Sequence, residues 1–473
     1  MPTQTTMTMM NEDEIKYNSR DNHSASSFYV LFSLQFLILV ASMFMNVKTG
    51  VCTLLLVLVM TPFILIRCST QGYDLSRARN GMVLLFSLSG VFYLLEIGNP
   101  NNVQEAWNIG ITHYWVYPFA LALVVPVAIR DRKGIEWILF IWSLFVLLAA
   151  FKGYWQKSHG FNERERYFLY VLGGFRTHII WSGIRYFSLF SDAANYGVHS
   201  AMAATTFAIS AFFVRRFWMK VYYIIITLGA IYGIGISGTR AAVAVPLAGI
   251  ITYALVSKNW KNISISLITV IGVFSFFYFT NIGDSNQYIR KMRTAFRPTQ
   301  DASYLVRVEN RKKMKELMAE RPFGYGISLS KGERFAPKEL MPYPPDSWLV
   351  SVWIETGIVG LVLYLVIHGV LFAWCSWILL FRIMNKRLRG LLAAWLCMNA
   401  GFFVAAYAND IMQYPNSIIV YTGFALCFAG PYIDKVMQQE EKKEKKIKRK
   451  KRKIKSIYGY KRHTSNILYH HLL

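Results

Sequence analysis

Apolar runs of about twenty residues recur along most of this 473-residue chain, and they constrain its fold more than any other feature. A run of about twenty apolar residues crosses the hydrocarbon core of a bilayer as an α-helix. A soluble protein of this length would divide into several cores and would not carry such runs one after another. With 54% hydrophobic residues, the sequence therefore predicts an all-α polytopic membrane protein.

The apolar runs predict about twelve transmembrane helices within one membrane domain, residues 27–433. The residues before it, 1–26, are polar and contain no apolar region ahead of a cleavage site, so we expect the first run to stay as an anchor. The predicted spans are 27–46, 51–66, 81–97, 113–129, 135–152, 197–214, 220–237, 241–257, 262–280, 357–381, 390–408 and 416–433.

Lysine and arginine are distributed unevenly between the predicted loops, which predicts an orientation. One alternate set of short loops is rich in both residues, whereas the other set contains only Lys48 and Arg240. Because cytoplasmic loops carry the excess of positive charge, the first set and both termini are expected in the cytoplasm. Two long segments, 153–196 and 281–347, are then expected on the opposite, extracytoplasmic side.

The net charge of +26 is concentrated partly in the tail 434–473, in the run KKEKKIKRKKRKIK from Lys442 to Lys455. A predicted helix delivers this run to a membrane surface, so anionic lipid headgroups are the expected partner and nucleic acid is not. A solvated stop-transfer tail that only fixes orientation is an equally good interpretation. No spacing of cysteine or histidine indicates a metal site, and no cofactor is expected.

The segment 281–347 is longer and more cationic than a connection between two helices requires. Within it, RVENRKKMKELMAE predicts an amphipathic helix, with Met314 and Met318 on one side. Arg307 and Arg311 are four residues apart and share a helix face, which fits either an anion between them or a solvated basic surface. The following RPFGYGISLS contains Gly324 and Gly326, which permit a tight turn and a close backbone approach to a ligand.

Two further groups lie at predicted helix ends on the same side. In GISGTRAAVAVPLAG, Arg240 lies in a very short turn between two apolar spans, a setting that suits a phosphate or pyrophosphate. An arginine snorkelling to lipid headgroups is an equally good interpretation. In GIRYFSLFSDAANYGVHSAMA, Arg185, Asp192 and Asn195 precede a span of small residues and would present polar groups at its mouth. For Asp192 a simple helix N-cap is the stronger interpretation.

Candidate bases lie where the long loop meets a helix, in YPPDSWLVSVWIETGIVG. Asp346 follows two prolines, and it fits either a helix N-cap or a general base at a partly dry interface. Glu355 is a second candidate at the same level. Other possible bases are His113, His178 and His199, although a single histidine on an apolar helix face usually serves packing.

These pieces, in this order, resemble the O-antigen ligase / O-antigen polymerase superfamily of bacterial envelope glycosyltransferases. An arginine precedes the SDAANYG turn, SGTR lies between two spans, and an R…R…K-E-L helix runs into RPFGYGI. A Pro–Pro turn then leads into SWLVSVWIETGIVGL. The resemblance covers Arg185 to Leu361, and the first five spans match only in hydropathy.

The resemblance implies transfer of a glycan from an undecaprenyl-pyrophosphate carrier to a saccharide hydroxyl, on the outer face of the bacterial inner membrane. The acceptor would be a growing glycan for a polymerase, or lipid A core for a ligase, and the sequence does not distinguish them. The transfer would invert the anomeric centre and need no metal. Arg185, Arg240 and Arg307 or Arg311 would hold the pyrophosphate.

Family members usually carry His–Asn just before the helix that ends in E-x-G-x-x-G, where this chain has Asp346–Ser347. Either Asp346 replaces the histidine, or a histidine elsewhere does, or catalysis relies mostly on positioning; we favour Asp346. The competing function is a transporter of lipid-linked glycans. Transporters tend to show repeated halves and polar groups at mid-membrane, whereas here the ionisable groups crowd one end.

Overall fold

The computed structural model describes residues 25–45, 48–180, 183–296, 302–330, 335–340, 342, 343, 345 and 347–470, with backbone only for 302–303 and 444–470. The first half of the described chain contains seven helices and one short strand pair, interrupted by 3₁₀ turns at Leu75–Ala78 and Glu96–Gly98. These elements are α1 (Ala25–Ala41), α2 (Thr49–Thr70), α3 (Gly81–Leu95), α4 (Gln104–Ala128, with a π-helical turn at Thr112–Val116), α5 (Arg132–His159), α6 (Glu163–Arg166, followed by a π turn at Tyr167–Val171), α7 (Phe175–His178), β1 (Ile179–Ile180) and β2 (Gly183–Ile184).

The second half of the described chain contains nine helices. They are α8 (Ala193–Ala211), α9 (Phe217–Ser237), α10 (Arg240–Val256, whose first turn Arg240–Val243 is 3₁₀), α11 (Trp260–Phe279), α12 (Gln287–Arg293, followed by a 3₁₀ turn at Thr294–Phe296), α13 (Ala302–Met318), α14 (Trp348–Arg382, ending in a π turn), α15 (Lys386–Ala406) and α16 (Asn416–His470). The strands β1 and β2 pair antiparallel, with Ile179 opposite Ile184.

Within the described residues, nine helices are long and apolar enough to cross a membrane: α2, α3, α4, α5, α9, α11, α14, α15 and α16. Two more, α1 and α10, are apolar but shorter. Each of the twelve predicted runs overlaps a described helix, and the twelfth helix of that set is α8. The prediction of a helical polytopic membrane protein is therefore confirmed, whereas the number of spans stays a prediction.

Burial distinguishes a central group of helices from a peripheral one. Helices α4 and α15 and the apolar part of α16 are largely enclosed, and α8 buries 16 of its 19 residues. By contrast, α11 and α2 bury few of their residues inside the bundle. Small side chains permit close helix approach in the bilayer, and α8 is rich in Ala, Ser and Gly, which explains how it packs between α9 and α15.

The described part of the long segment 281–347 forms a helical roof over one end of the bundle. Its helix α13 buries Met314 and Met318 in a second hydrophobic cluster with Tyr325, Leu329 and Ile354. This confirms the predicted amphipathic helix, because the two methionines fall on the buried side and the three lysines Lys312, Lys313 and Lys315 are exposed. We call this end of the molecule the roof end.

The segment predicted as a long loop, 153–196, is largely ordered structure. Helix α5 continues to His159, beyond the predicted end of its span, and Asn162 then caps α6 in a capping box with Glu165. Lys152 Nζ lies 2.8 Å from Glu165 Oε1, and Gln156 also bonds that carboxylate. These contacts fix the segment against α5 at the roof end.

Candidate active site

The turn Ser237–Arg240 joins α9 to α10 at the roof end and forms one wall of the site. Gly238 ends α9 in the left-handed conformation, with φ 57°, which favours glycine. Thr239 follows, and its hydroxyl donates to the Ala193 carbonyl oxygen at the start of α8, 2.8 Å away. The turn is therefore attached to α8, and Arg240 becomes the first residue of α10.

Arg185 comes from the segment after β2, and its guanidinium contacts the same turn. Its Nη2 donates to Thr239 Oγ1 at 3.1 Å and its Nε to the Ser237 carbonyl oxygen at 3.3 Å. A third bond runs from Nη1 to the Thr177 carbonyl oxygen, at 3.1 Å. Three of the five guanidinium N–H groups thus donate to the protein, and two of these bonds hold the turn in place.

Arg240 is half-buried and faces helix α12 and the turn that follows it. Its Nη1 donates to Thr294 Oγ1 at 3.3 Å. Lys291 approaches from the same helix: a Cβ atom at Gly238 would lie 2.9 Å from its Nζ. The turn is therefore covered by a further cation that the sequence did not single out.

The charges of Arg240 and Arg307 both act on Arg185, so the turn lies in a positive environment. The pKa of Arg185 is lowered to about 10, chiefly by burial. The Asp192 carboxylate opposes this shift, whereas the positive charges of Arg240 and Arg307 add to it. We call Arg185, Arg240 and Arg307 the arginine cluster. An anion among them would relieve their mutual repulsion.

Arg307 and Arg311 both lie on α13, but they have different surroundings. Arg307 Nη2 donates to Asn409 Oδ1 at 3.4 Å, in the loop between α15 and α16. Arg311 Nη1 donates to the Tyr407 hydroxyl at 2.6 Å, and its guanidinium lies 4.5 Å from that ring's centroid. Both arginines line one small pocket, and Arg311 is directed toward Tyr407 at its exposed edge.

Asp192 and Asn195 belong to a buried hydrogen-bond network. Asp192 caps α8 by accepting from the backbone N–H groups of Ala194 and Asn195, which confirms the N-cap interpretation. Asn195 Nδ2 donates to Asp192 Oδ2 at 2.6 Å, and Asn416 Nδ2 donates to Asn195 Oδ1 at 3.1 Å. His199 continues the network to Asn416. The Asp192 carboxylate is therefore held in place beside Arg185.

Gly324 does make the close backbone approach that the sequence predicts, but to a helix of this chain. Helix α14 is broken at Gly357, where φ is 66° and ψ is −170°, a conformation that is essentially restricted to glycine. A Cβ at Gly324 would lie 2.5 Å from the Gly357 nitrogen, and a Cβ at Gly357 would lie 1.9 Å from the Pro322 carbonyl oxygen. The RPFGYG turn and the helix break thus interlock.

This interlock fixes the backbone around Glu355. The Gly326 N–H donates to the Glu355 carbonyl oxygen at 3.0 Å, and the Tyr325 N–H donates to the Ile354 carbonyl oxygen at 2.9 Å. The Glu355 side chain is buried, 1% exposed, and accepts from the Tyr114 hydroxyl at 2.8 Å. A second, short hydrogen bond comes from the Ser330 hydroxyl. Two donors therefore orient the carboxylate.

A cavity of about 350 Å³ opens beside this carboxylate. Its wall combines aromatic and polar side chains from several distant parts of the chain, a composition typical of sites that bind oriented polar ligands. The polar and aromatic lining includes His113, Tyr114, Ser191, Trp348, Glu355, Gln413 and Tyr414.

Two short connections join this cavity to the arginine cluster. On one side, Ser191 lines the cavity and donates to Asp192 Oδ2 at 2.9 Å, and Asp192 in turn interacts with Arg185. On the other, the backbone N–H of Trp348 donates to the Asn409 carbonyl oxygen at 3.2 Å, and the Asn409 side chain accepts from Arg307. The cavity wall is thus linked to the arginine cluster through Asp192 on one side and Asn409 on the other.

The candidate bases are distributed unequally around this site. Asp346 lies outside the described residues. His178 is buried with Nδ1 bonded to the Gly174 carbonyl oxygen and Nε2 accepting from the Ala193 N–H, so it holds the start of α8. His199 is enclosed between Trp142 and Asn416. Of the three histidines, His113 alone lines the cavity.

Several residues of the site escaped sequence reasoning. Tyr114, Ser330, Lys291 and Asn409 have no local pattern that marks them, because their partners lie far away in the sequence. Tyr114 lies in a π-helical turn, a feature that is frequent at functional sites but becomes visible only in the structure. Among the described residues, no group of three or more His, Cys, Asp or Glu side chains is arranged to hold a metal ion.

The fold and the site together define a polytopic helical membrane protein with a cationic cluster and a polar cavity at one end. Residues 224–365 match the family model described as O-antigen ligase, while none of the curated proteins compared matches the chain. This match confirms the resemblance to the O-antigen ligase / O-antigen polymerase superfamily seen in the sequence, for residues 224–365. The match supports glycan transfer of this general type.

The matched range is less than a third of the chain, and it divides the site. It includes the Ser237–Arg240 turn, helices α10 to α13, the RPFGYG turn and Glu355. Arg185, Asp192 and the helix that carries Tyr114 lie before it. The structure brings these residues into contact with the matched range, for example through the hydrogen bonds from Arg185 to Thr239 and from Tyr114 to Glu355.

Proposed function

We propose that this protein moves a glycan from an undecaprenyl-pyrophosphate carrier to a saccharide hydroxyl, acting as a surface-polysaccharide polymerase or ligase at the extracytoplasmic face of the bacterial inner membrane. The observation that carries the proposal is the arginine cluster. Arg185 bonds the turn that carries Arg240, and the charges of Arg240 and Arg307 both act on Arg185. Three cations in one partly buried place call for a polyanionic ligand.

The pyrophosphate is the part of the donor that fits this cluster. Arg240 would contact it directly, while Arg185 holds the turn and has N–H groups left for the ligand. The turn joins α9 to α10, and the neighbouring α11 exposes apolar side chains such as Ile271 and Phe274. A polyprenyl chain can therefore lie in the bilayer beside α10 and α11 while its diphosphate reaches the arginines.

The acceptor would occupy the cavity beside Glu355. Its hydroxyl oxygen would attack the anomeric carbon, the bond from that carbon to the pyrophosphate oxygen would break, and the configuration would invert. The hydroxyl proton would pass to a carboxylate, and the electron pair of the broken bond would stay on the pyrophosphate. The arginine cluster would stabilise this developing charge without a metal, as preorganised donors do in other transferases.

Two carboxylates compete for the role of base. Asp346 remains a proposal from the sequence alone. Glu355 is supported by its position on the cavity wall and by the Tyr114 and Ser330 hydroxyls that orient it. A base must lie within hydrogen-bond reach of the hydroxyl it deprotonates, and a sugar in the cavity would satisfy this for Glu355.

Deletion of the gene, followed by complementation, tests this proposal. If the protein is a polymerase, the deletion leaves single-repeat glycan on the normal acceptor. If it is a ligase, full-length glycan accumulates on the carrier lipid. A deletion strain with unaltered surface glycan and unaltered carrier-linked pools would contradict both. Complementation with the wild-type chain should restore the glycan, and with Arg240→Ala it should not, at equal membrane abundance.

A further inference from the structure

A second large cavity lies between the first turns of α5 and α9. Its volume is about 850 Å³. Four cationic side chains line it, two from the start of α5 and two from the connection before α9. These cations are Arg132, Lys133, Arg215 and Arg216, and we call the cavity the basic cleft.

The basic cleft lies at the end of the bundle opposite the candidate active site. Helix α5 has 28 residues and α9 has 21, so they are about 40 and 30 Å long at the α-helical rise of about 1.5 Å per residue. The cleft is at their first residues, whereas their last residues reach the roof end: Ser237 contacts Arg185 there. The cleft therefore cannot belong to the glycan-transfer site.

The charges in the cleft are only partly neutralised by the protein. Arg132 Nε lies 3.5 Å from Glu136 Oε1, one turn further along α5. Glu440 and Glu441 of α16 line an adjoining cavity of about 310 Å³, which shares Arg132, Lys133 and Arg215 with the cleft. On the side toward α9, Arg215 and Arg216 are exposed, and among the described residues that line the cleft Glu136 is the single carboxylate.

The remaining wall of the cleft is apolar and faces the membrane. Trp137, Phe140 and Met219 line it, and the Trp137 side chain is 54% exposed. Just beyond, Phe217 and Trp218 at the start of α9 are also strongly exposed. Aromatic side chains at this level are typical of the boundary between headgroups and acyl chains. The cleft thus combines cationic side chains with an adjacent apolar surface that can contact acyl chains.

We propose that the basic cleft binds one anionic phospholipid of the leaflet opposite the candidate active site. The phosphate would lie among Lys133, Arg215 and Arg216, and an acyl chain would follow Trp137 and Phe140 toward the bilayer. Basic pockets between transmembrane helices commonly bind anionic headgroups in this way. A soluble anion would contact the cations but not the apolar wall. A phospholipid would contact both, so lipid is the occupant that fits the cleft. The proposal does not depend on glycan transfer.

Retention of lipid by the purified full-length chain tests this proposal. The protein is delipidated in detergent, supplied with phosphatidylglycerol or phosphatidylcholine, and analysed by native mass spectrometry. We expect one phosphatidylglycerol to be retained in preference to phosphatidylcholine. The double variant Arg215→Gln/Arg216→Gln should weaken that binding about thirtyfold, since each cation near the headgroup contributes a roughly equal share of the binding free energy and two cations are removed.

The matched control is Lys258→Gln/Lys261→Gln, which removes the same charge from two exposed lysines, one in the connection between α10 and α11 and one in the first turn of α11. It should leave lipid retention unchanged. An equal loss in this control would overturn the proposal, because the attraction would then be a general surface effect. Displacement of the lipid by soluble glycerol 3-phosphate at similar concentration would also overturn it. If the Arg215/Arg216 variant does not fold, Lys133→Gln replaces it, with a smaller expected loss of about fivefold.

Discussion

Replacing Arg240 by glutamine removes one cation from the arginine cluster while keeping a polar side chain of comparable length. If the pyrophosphate lies about 5 Å from the guanidinium, one unit of charge interacts with it by about 3 kcal/mol at an effective dielectric constant of about 20. Charge that develops on the leaving group in the transition state loses this interaction, which corresponds to a rate lower by about two orders of magnitude. We therefore expect Arg240→Gln to transfer glycan about 100-fold more slowly.

The assay follows glycan transfer from a purified lipid-linked donor in reconstituted membranes, with product separated by gel electrophoresis. The control is Arg290→Gln, which removes an exposed arginine from the neighbouring helix α12. It should keep activity within about twofold, because screened exposed charges contribute little. Transfer by Arg240→Gln at the wild-type rate, or an equal loss in Arg290→Gln, would show that the cluster does not act on the leaving group.

Three further predictions concern the elements that support the site. Gly357→Ala should destabilise the protein by at least about 1–3 kcal/mol, from backbone strain and collision with the Pro322 carbonyl oxygen, measured as a lower melting temperature; an unchanged value would refute the interlock. Glu355→Gln should lower kcat about 10²-fold or more with KM little changed if Glu355 is the base, and near-normal kcat would exclude it. Burial lowers the pKa of His178, so the unfolded chain takes up a proton below about pH 6.5 before the native one does. The free energy of unfolding should therefore fall on acidification, by at most about 1.4 kcal/mol per pH unit. In denaturation measured between pH 7 and 5, His178→Gln should flatten this slope. An equal slope in the variant would assign the pH dependence to other groups.

The helices and the basic character of the roof could be predicted from the sequence, because a bilayer forces apolar segments to form helices of defined length. The amphipathic pattern of α13 could also be predicted, because Met314 and Met318 recur with the helical period. Hydropathy does not fix the number of spans, however. Helix α8 overlaps the predicted span 197–214, yet it is built from small, weakly apolar residues and is not among the nine helices that are long and apolar enough to cross a membrane within the described residues.

Contacts between distant parts of the chain could not be predicted. Arg185 and Thr239 are 54 residues apart, and Tyr114 and Glu355 are separated by 241 residues. No local pattern records such a pairing. The role of Gly324 shows the same limit, since its sequence indicates a close backbone approach but not that the approaching backbone is that of Gly357. The sequence thus indicates which side chains can carry chemistry, but their contact partners become known only from the fold.

The central claim, a diphosphate held by the arginine cluster, is tested most directly by measuring the affinity for undecaprenyl pyrophosphate itself. Binding to the wild-type chain and to Arg240→Gln in nanodiscs would be compared with binding of undecaprenyl monophosphate. The account predicts that the wild type prefers the diphosphate by at least about tenfold and that Arg240→Gln loses most of this preference. Equal affinities for the two lipids in the wild type, or an unaltered preference in the variant, would contradict it.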